Sequence, residues 1–313
     1  MEFFKKVPTL HFMRLRRRWY GLSLLMVLAT VVSLIVHGLH LSIDFTGGVE
    51  VELSFSAPAN VEQIQSTLVA SGFKEPQVQL VDSVRDVLVR LPPQGETVKG
   101  TEVGKRIETA LAAIDPKVRM HRADSVGSQV GRELAENGAL ALVFTFLLIG
   151  LYVSIRFHTW RLGTGAVVAS MHNPIVVIGF FSVTGLTFDL PALAAVLAVI
   201  GHSLNDTVVV FDRIRENFER SRRAASADLI DAAINQTLSR TVITSGATFV
   251  VVLMLLLFGG EALRGFSVAL LVGIVVVTYS SIYVASSLAL DMGLTGNDLF
   301  PQRKSADELD KMP

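Results

Sequence analysis

The chain has 313 residues, half of them hydrophobic and only 18% charged, against about 25% charged in an ordinary soluble domain. Its 28 basic and 28 acidic residues cancel, so it lacks the basic footprint of a nucleic-acid binder. It contains no cysteine, which excludes disulfides, thiolate catalysis and cysteine-ligated metal sites.

Residues 1–18 carry Lys5, Lys6, Arg14, Arg16, Arg17 and Arg18 and are read as a cytoplasmic N-terminus. The apolar run 19–40 follows, long enough to cross about 30 Å of hydrocarbon. It has no small-x-small cleavage pattern, so an uncleaved anchor is expected.

Residues 41–136 hold the one long soluble pattern. Val49, Val51, Leu53 and Phe55 alternate with polar residues, as in a half-buried strand. Asn60 to Ser71 reads as a helix with Val61, Ile64 and Leu68 on one face. Strands are expected at Gln77–Val81 and Val84–Leu91, a helix at Thr97–Ile114, and a last strand at Val118–Arg122. That order is the split βαβ, ferredoxin-like arrangement. The pattern serves a stabilising plug and a moving domain that handles exported chains equally well.

Five further apolar runs lie at 137–155, 162–188, 190–211, 241–259 and 266–290. They predict a polytopic α-helical membrane protein with six spanning helices and a small α+β domain on the outer, periplasmic side. Arg156 and Arg161 separate the second and third runs. The stretch 212–240 carries Arg213, Arg215, Arg220, Arg222, Arg223 and Arg240. The opposite loops offer Asp189, Glu261 and Arg264. The positive-inside rule therefore places 212–240 and both termini, including the tail 291–313, in the cytoplasm.

Asp206 is the one charge inside these runs. A carboxylate at mid-membrane costs several kcal/mol, about 2.5–3.5 on insertion scales, and marks a functional site by default. His202, Ser203 and Asp206 fall on one helical stripe, and an imidazole, a hydroxyl and a carboxylate so placed can bind and pass protons. A structural acid paired between helices, or one snorkelling toward Asp212, fits the same sequence. Arg240, opening the next apolar run, is the natural partner. An Asp–Arg contact that breaks on protonation is a two-state element. Asn205, Thr207, Asp212, Thr241 and Ser245 are the supporting polar groups. His172 stands beside Asn173 and Pro174, where a helix kink is expected. The hydroxyls at 278–287 are expected to stitch helices together.

No enzyme signature is present. Gly100–Arg106 is one residue short of a phosphate loop and lacks its final Ser or Thr. No cofactor and no resident metal is expected.

Four segments resemble the SecF family. They are Ile43–Gly48 with its Asp44-Phe45-Thr46-Gly47-Gly48, Gly201–Asn217, Asn235–Gly246 and Phe258–Gly260. The resemblance implies an RND-superfamily half-transporter that pairs with SecD, twelve helices in two pseudo-symmetric halves. It implies a place in the bacterial inner membrane beside the SecYEG channel, with YajC and YidC as neighbours. The implied role is to use the proton-motive force in late preprotein translocation, after the ATP-driven step. It assigns proton coupling to Asp206 and Arg240. The family usually has Tyr where this chain has His202, and an acid where it has Asn173. An exporter half for lipids or small molecules, and a passive assembly subunit, are the competing functions.

Overall fold

The computed structural model describes residues 8–81, 83–93, 99–221 and 224–300. The basic residues Lys5, Lys6, Arg222 and Arg223, the expected helix start at Thr97 and the tail 301–313 lie outside them. After a 3₁₀ turn at Met13–Leu15, the chain enters α1 (Arg16–Val36). Two compact units follow from the packing. Among the described residues, one comprises those up to His40, Ala141–Leu186 and those from Pro191 on; the other is Leu41–Leu140 with Thr187–Leu190.

The second unit opens with α2 (Ile43–Thr46), followed by β1 (Gly48–Ser54), α3 (Val61–Ala70), β2 (Gln77–Leu80), β3 (Asp86–Leu91), α4 (Gly100–Leu111) and β4 (Arg119–Val126). The sheet order is β2-β3-β1-β4, antiparallel throughout, which is the ferredoxin-like topology. Alternation on β1 buries Val49, Val51 and Leu53 against Ile64 and Leu68 of α3 and Val103, Ile107 and Leu111 of α4. Asn60 starts α3 by accepting the Gln63 N–H at 3.2 Å, an ordinary N-cap. Gly104 lets α4 approach β4, since a Cβ there would overlap the Met120 sulfur. The near-miss phosphate loop is thus the first two turns of a packing helix. β4 runs four residues past its expected end at Arg122. It is an edge strand whose residues are mostly exposed or half-buried, so no apolar alternation signals it.

The other unit is built from helices. After α5 (Ser128–Phe157) come α6 (Trp160–Thr184), α7 (Leu190–Arg220) and α8 (Ser226–Phe258). A 3₁₀ turn at Glu261–Leu263 leads into α9 (Arg264–Ser280), a π turn at Ser281–Ala285, α10 (Ser286–Asp291) and α11 (Gly296–Leu299). Among the described residues, six helices are long and apolar enough to span a membrane, the last running over Arg264–Asp291. The helix assignment continues through Pro174. α7 and α8 extend well past the apolar runs, so of 212–240 the stretches up to Arg220 and from Ser226 on are helical. Hydropathy finds the part of a helix that meets lipid, not the helix itself. In these extensions Ile214, Phe218, Leu229, Ile230 and Ile234 join the buried cluster with Phe12 and Met13. Small residues bring helices together: a Cβ on Gly179 would strike Thr30, and one on Gly273 would strike Val199.

Gly48 has φ +128°, and a Cβ there would overlap the Leu91 carbonyl oxygen. Gly48→Ala is expected to destabilise the sheet unit by about 1–3 kcal/mol, read as faster amide exchange in β1 and β3. Asp115 is held below the usual carboxylate range by the Ser56 backbone N–H (2.6 Å), the Ser56 hydroxyl (2.7 Å) and the Lys117 N–H (2.9 Å). A carboxyl depressed in the folded state contributes stability above its unfolded value, near pH 3.9, and that contribution is lost as pH falls through its lower folded value. Asp115→Asn should therefore flatten the acid end of a melting-temperature profile and change stability least at the lowest pH.

Candidate functional site

The helix α7 carries the expected stripe into the bundle. Asp206 is 3% exposed, Ser203 and Thr207 are buried, and His202 is half-buried. Asn205 faces outward. From α6, Asn173 donates through Nδ2 to Ser203 Oγ at 2.9 Å, with both residues fully buried. His172 lies beside that amide, Nδ1 to Asn173 Oδ1 at 3.5 Å. Its ring also lies 6.0 Å from that of Tyr279. The Tyr279 hydroxyl donates to the Trp19 carbonyl at 2.8 Å and meets Ser23 Oγ at 2.5 Å. On the α8 side, Thr241 is buried, and Ser245 accepts from Thr278 Oγ1 at 3.1 Å. Thr278 and Tyr279 thus bond across helices, as expected of the last span, whereas Ser280 and Ser286 bond back to their own helix.

Three atoms in this layer, among the described residues, are buried without a protein hydrogen-bond partner: Asp206 Oδ2, His202 Nε2 and His172 Nε2. Buried polar groups are ordinarily satisfied, and exceptions concentrate where a protein does chemistry. His202 stands one turn before Asp206 on the same stripe, and Arg240 of α8 is the basic side chain whose field reaches the carboxylate. The expected Asp206–Arg240 contact is not closed: Arg240 is exposed, and among the described residues no ion pair joins the two. Asp212 does not support Asp206 but pairs with Arg156 at 3.0 Å.

Two groups escaped the sequence reading. Asp231 accepts the Met13 N–H at 2.8 Å. Asn235 clasps Leu10, accepting its N–H at 3.0 Å and donating to its carbonyl at 2.8 Å. Together they strap the segment before α1 to α8. An acid and an amide spaced i, i+4 ahead of an apolar run were the available signal. In the other unit, Asp44 accepts hydrogen bonds from Ser42 and Leu190, Phe45 stacks on Phe188, and Gly47 and Gly48 turn the chain into β1.

Residues 106–295 match the family described as protein export membrane protein SecD/SecF, C-terminal, and residues 32–59 match the SecD/SecF GG motif. The chain belongs to the SecD/SecF family. It is 46% identical to a protein translocase subunit SecF of Vibrio alginolyticus, over 100% of this chain and 99% of that protein. To the corresponding subunit of Haemophilus influenzae it is 42% identical, over 98% and 93%. A crystal structure of SecDF from Thermus, titled a translocon-associated membrane protein, superposes with a TM-score of 0.82 at 38% identity, covering 91% of this chain and 39% of that one. The chain therefore spans well under half of that SecDF. A super-membrane-facing form of SecDF gives 0.68 at 37% identity, covering 92% and 39%. The SecD/SecF match at 106–295 includes every polar group of the α6–α9 layer, and the GG-motif match includes Asp44, Phe45, Gly47 and Gly48.

Asn173→Ala leaves the Ser203 hydroxyl without its α6 partner. Interhelical hydrogen bonds in membranes average about 0.6 kcal/mol and reach about 1.7. The variant is expected to lose stability within that range in a detergent unfolding titration.

Proposed function

We propose that this chain is the SecF-type half of a SecD–SecF pair in the bacterial inner membrane, and that it couples the proton-motive force to late preprotein translocation through Asp206. The observation that supports this best is the Asp206 carboxylate, buried among apolar helices with one oxygen free of any protein hydrogen bond. An ionised carboxylate is costly there and a protonated one is not, so a proton arriving or leaving changes which arrangement of the helices is favoured. Arg240 supplies the opposing charge. Approach of its guanidinium to an ionised Asp206, and withdrawal from a protonated one, gives α7 and α8 two discrete arrangements. His202 and Ser203 line the same stripe and relay the proton. Thr207, Thr241 and Ser245 solvate the path, while Asn205 faces away from it, and Asp212 ties α7 to Arg156 of α5.

Pairing with SecD is supported by wide apolar faces that this chain leaves exposed, on α1 at Leu24, Leu25, Leu28 and Ile35 and on α5 at Phe144, Leu147, Leu148 and Ile155. Repeat-built transporters place their site where two such halves meet. The basic residues at the break between α7 and α8 and before α1 favour a cytoplasmic position for both termini, which puts the sheet unit in the periplasm. The family likeness adds SecYEG, YajC and YidC as neighbours in the membrane. The role is one of transport, with no bond made or broken by the chain.

The test is proton-gradient-dependent preprotein release in membrane vesicles holding this chain with SecD. Asp206→Asn should abolish stimulation by the gradient while ATP-driven entry continues. Exchanging the two residues, Asp206→Arg with Arg240→Asp, should restore part of it. Full stimulation in Asp206→Asn would instead make the chain a passive assembly subunit.

A further inference from the structure

We propose that Asp44 and the turn between α6 and α7 form a clasp by which the sheet unit holds helix α7 at its first residue. This makes Asp44 a positioning residue for Asp206. The inference rests on the proton role proposed for Asp206 and adds the part through which the sheet unit acts on it.

A helix leaves its first N–H groups without partners, and a side chain just before the helix usually takes one of them. In α7 the N–H of the first residue, Leu190, goes to Asp44 Oδ2 at 3.0 Å, from 146 positions earlier in the chain. Pro191 follows and has no N–H to offer. The Asp44 carboxylate is itself fixed, because the Ser42 hydroxyl donates to the same oxygen at 2.9 Å. The Ser42 N–H donates to the Phe188 carbonyl at 3.0 Å. Leu41 and Phe188 form a parallel bridge, and the rings of Phe45 and Phe188 stack at 6.0 Å. From the strands, Arg90 Nη2 donates to Thr187 Oγ1 at 2.7 Å, while Arg90 Nε holds Glu50 at 2.6 Å. Thr187 is thereby tied through β3 to β1. Gly47 and Gly48 lead from α2 straight into β1, with φ of +71° and +128°. The motif's aspartate, phenylalanine and glycines therefore serve one junction.

α7 is unbroken from Leu190 to Arg220. Asp206 lies sixteen residues along it, about 24 Å at 1.5 Å per residue. A helix held rigidly at its first residue passes an axial displacement to every residue it carries. Movement of the sheet unit then reaches the carboxylate without a separate transmission element, and protonation of the carboxylate reaches the sheet unit by the same route.

The chain has no cysteine of its own, so Leu41→Cys with Phe188→Cys introduces its only thiol pair and gives a covalent substitute for the clasp. Two measurements are made on the full chain with SecD: amide exchange at Leu190 and gradient-dependent preprotein release in vesicles. Asp44→Ala is expected to speed Leu190 exchange by about tenfold or more, as local opening of a helix end does, and to lower gradient stimulation with Asp206 intact. Oxidising the cysteine pair in the Asp44→Ala background should restore stimulation, and reductant should remove it again. Asp44→Asn, which keeps an acceptor oxygen, should fall between the two and serves if the alanine variant does not fold. Unchanged exchange in Asp44→Ala overturns the clasp. Fast exchange with full stimulation overturns its role in coupling. Loss of stimulation on oxidising the pair in the otherwise unaltered chain shows that the turn must detach, which also overturns it. If Asp206→Asn keeps full stimulation, the proton reading falls and the coupling with it. If Asp206→Asn and Asp44→Ala both lose stimulation but the disulfide fails to rescue, the clasp alone falls.

Discussion

Inside hydrocarbon every polar group has to find its partner within the protein, and that requirement shapes the helical unit. Asn173 reaches Ser203, Thr278 reaches Ser245, and Tyr279 reaches Trp19. Each bond ties two helices whose apolar faces alone would leave their register loose. Asp206 breaks the pattern in the middle of that layer, with one oxygen left over. Satisfying it with another hydroxyl would have been easy in a bundle this rich in serine and threonine. On the function proposed above, that unsatisfied oxygen is what would make the α7–α8 arrangement respond to a proton on the carboxylate, with Arg240 as the opposing charge.

The sheet unit meets the same requirement in a different solvent. Its core is an ordinary apolar layer between β1, β3 and the two helices, so its fold needs no help from the membrane. Its polar residues near Asp44 and Arg90 reach for the four residues Thr187–Leu190. These four are contributed by the hairpin of two membrane helices. A turn that would otherwise be free to fray is part of a folded domain, and the first peptide of the helix bearing Asp206 is fixed by a side chain from the sheet unit.

Much of this is legible in the order of the amino acids alone. A carboxylate inside an apolar run is rare enough to single out Asp206, and the alternation of Val49, Val51 and Leu53 identifies β1 directly. Edges and ends are less legible. β4 is an edge strand with no buried alternation beyond Arg122, and α2 has four residues, too few to show any period. The long extensions of α7 and α8 are hidden because hydropathy stops where lipid stops. The Asn173–Ser203 bond depends on how two helices are rotated against each other, which no single-helix pattern contains. Arg240 stands on α8 as expected, at mid-helix rather than at a helix start, but the direction of a long side chain is set by its neighbours, and here it makes no ion pair with the carboxylate.

The strap before α1 also constrains the order of events during synthesis. Leu10 and Met13 bind Asn235 and Asp231, which lie 225 and 218 positions further along the chain. At about 5–20 residues per second on the ribosome, the segment holding Leu10 and Met13 waits roughly 10–45 s for its partners to emerge. In that interval the first helix is already threaded into the bilayer while its leading segment has nothing to hold. Closing the strap therefore has to wait for α8 to be made, and it joins the segment before α1 to a helix more than two hundred positions later.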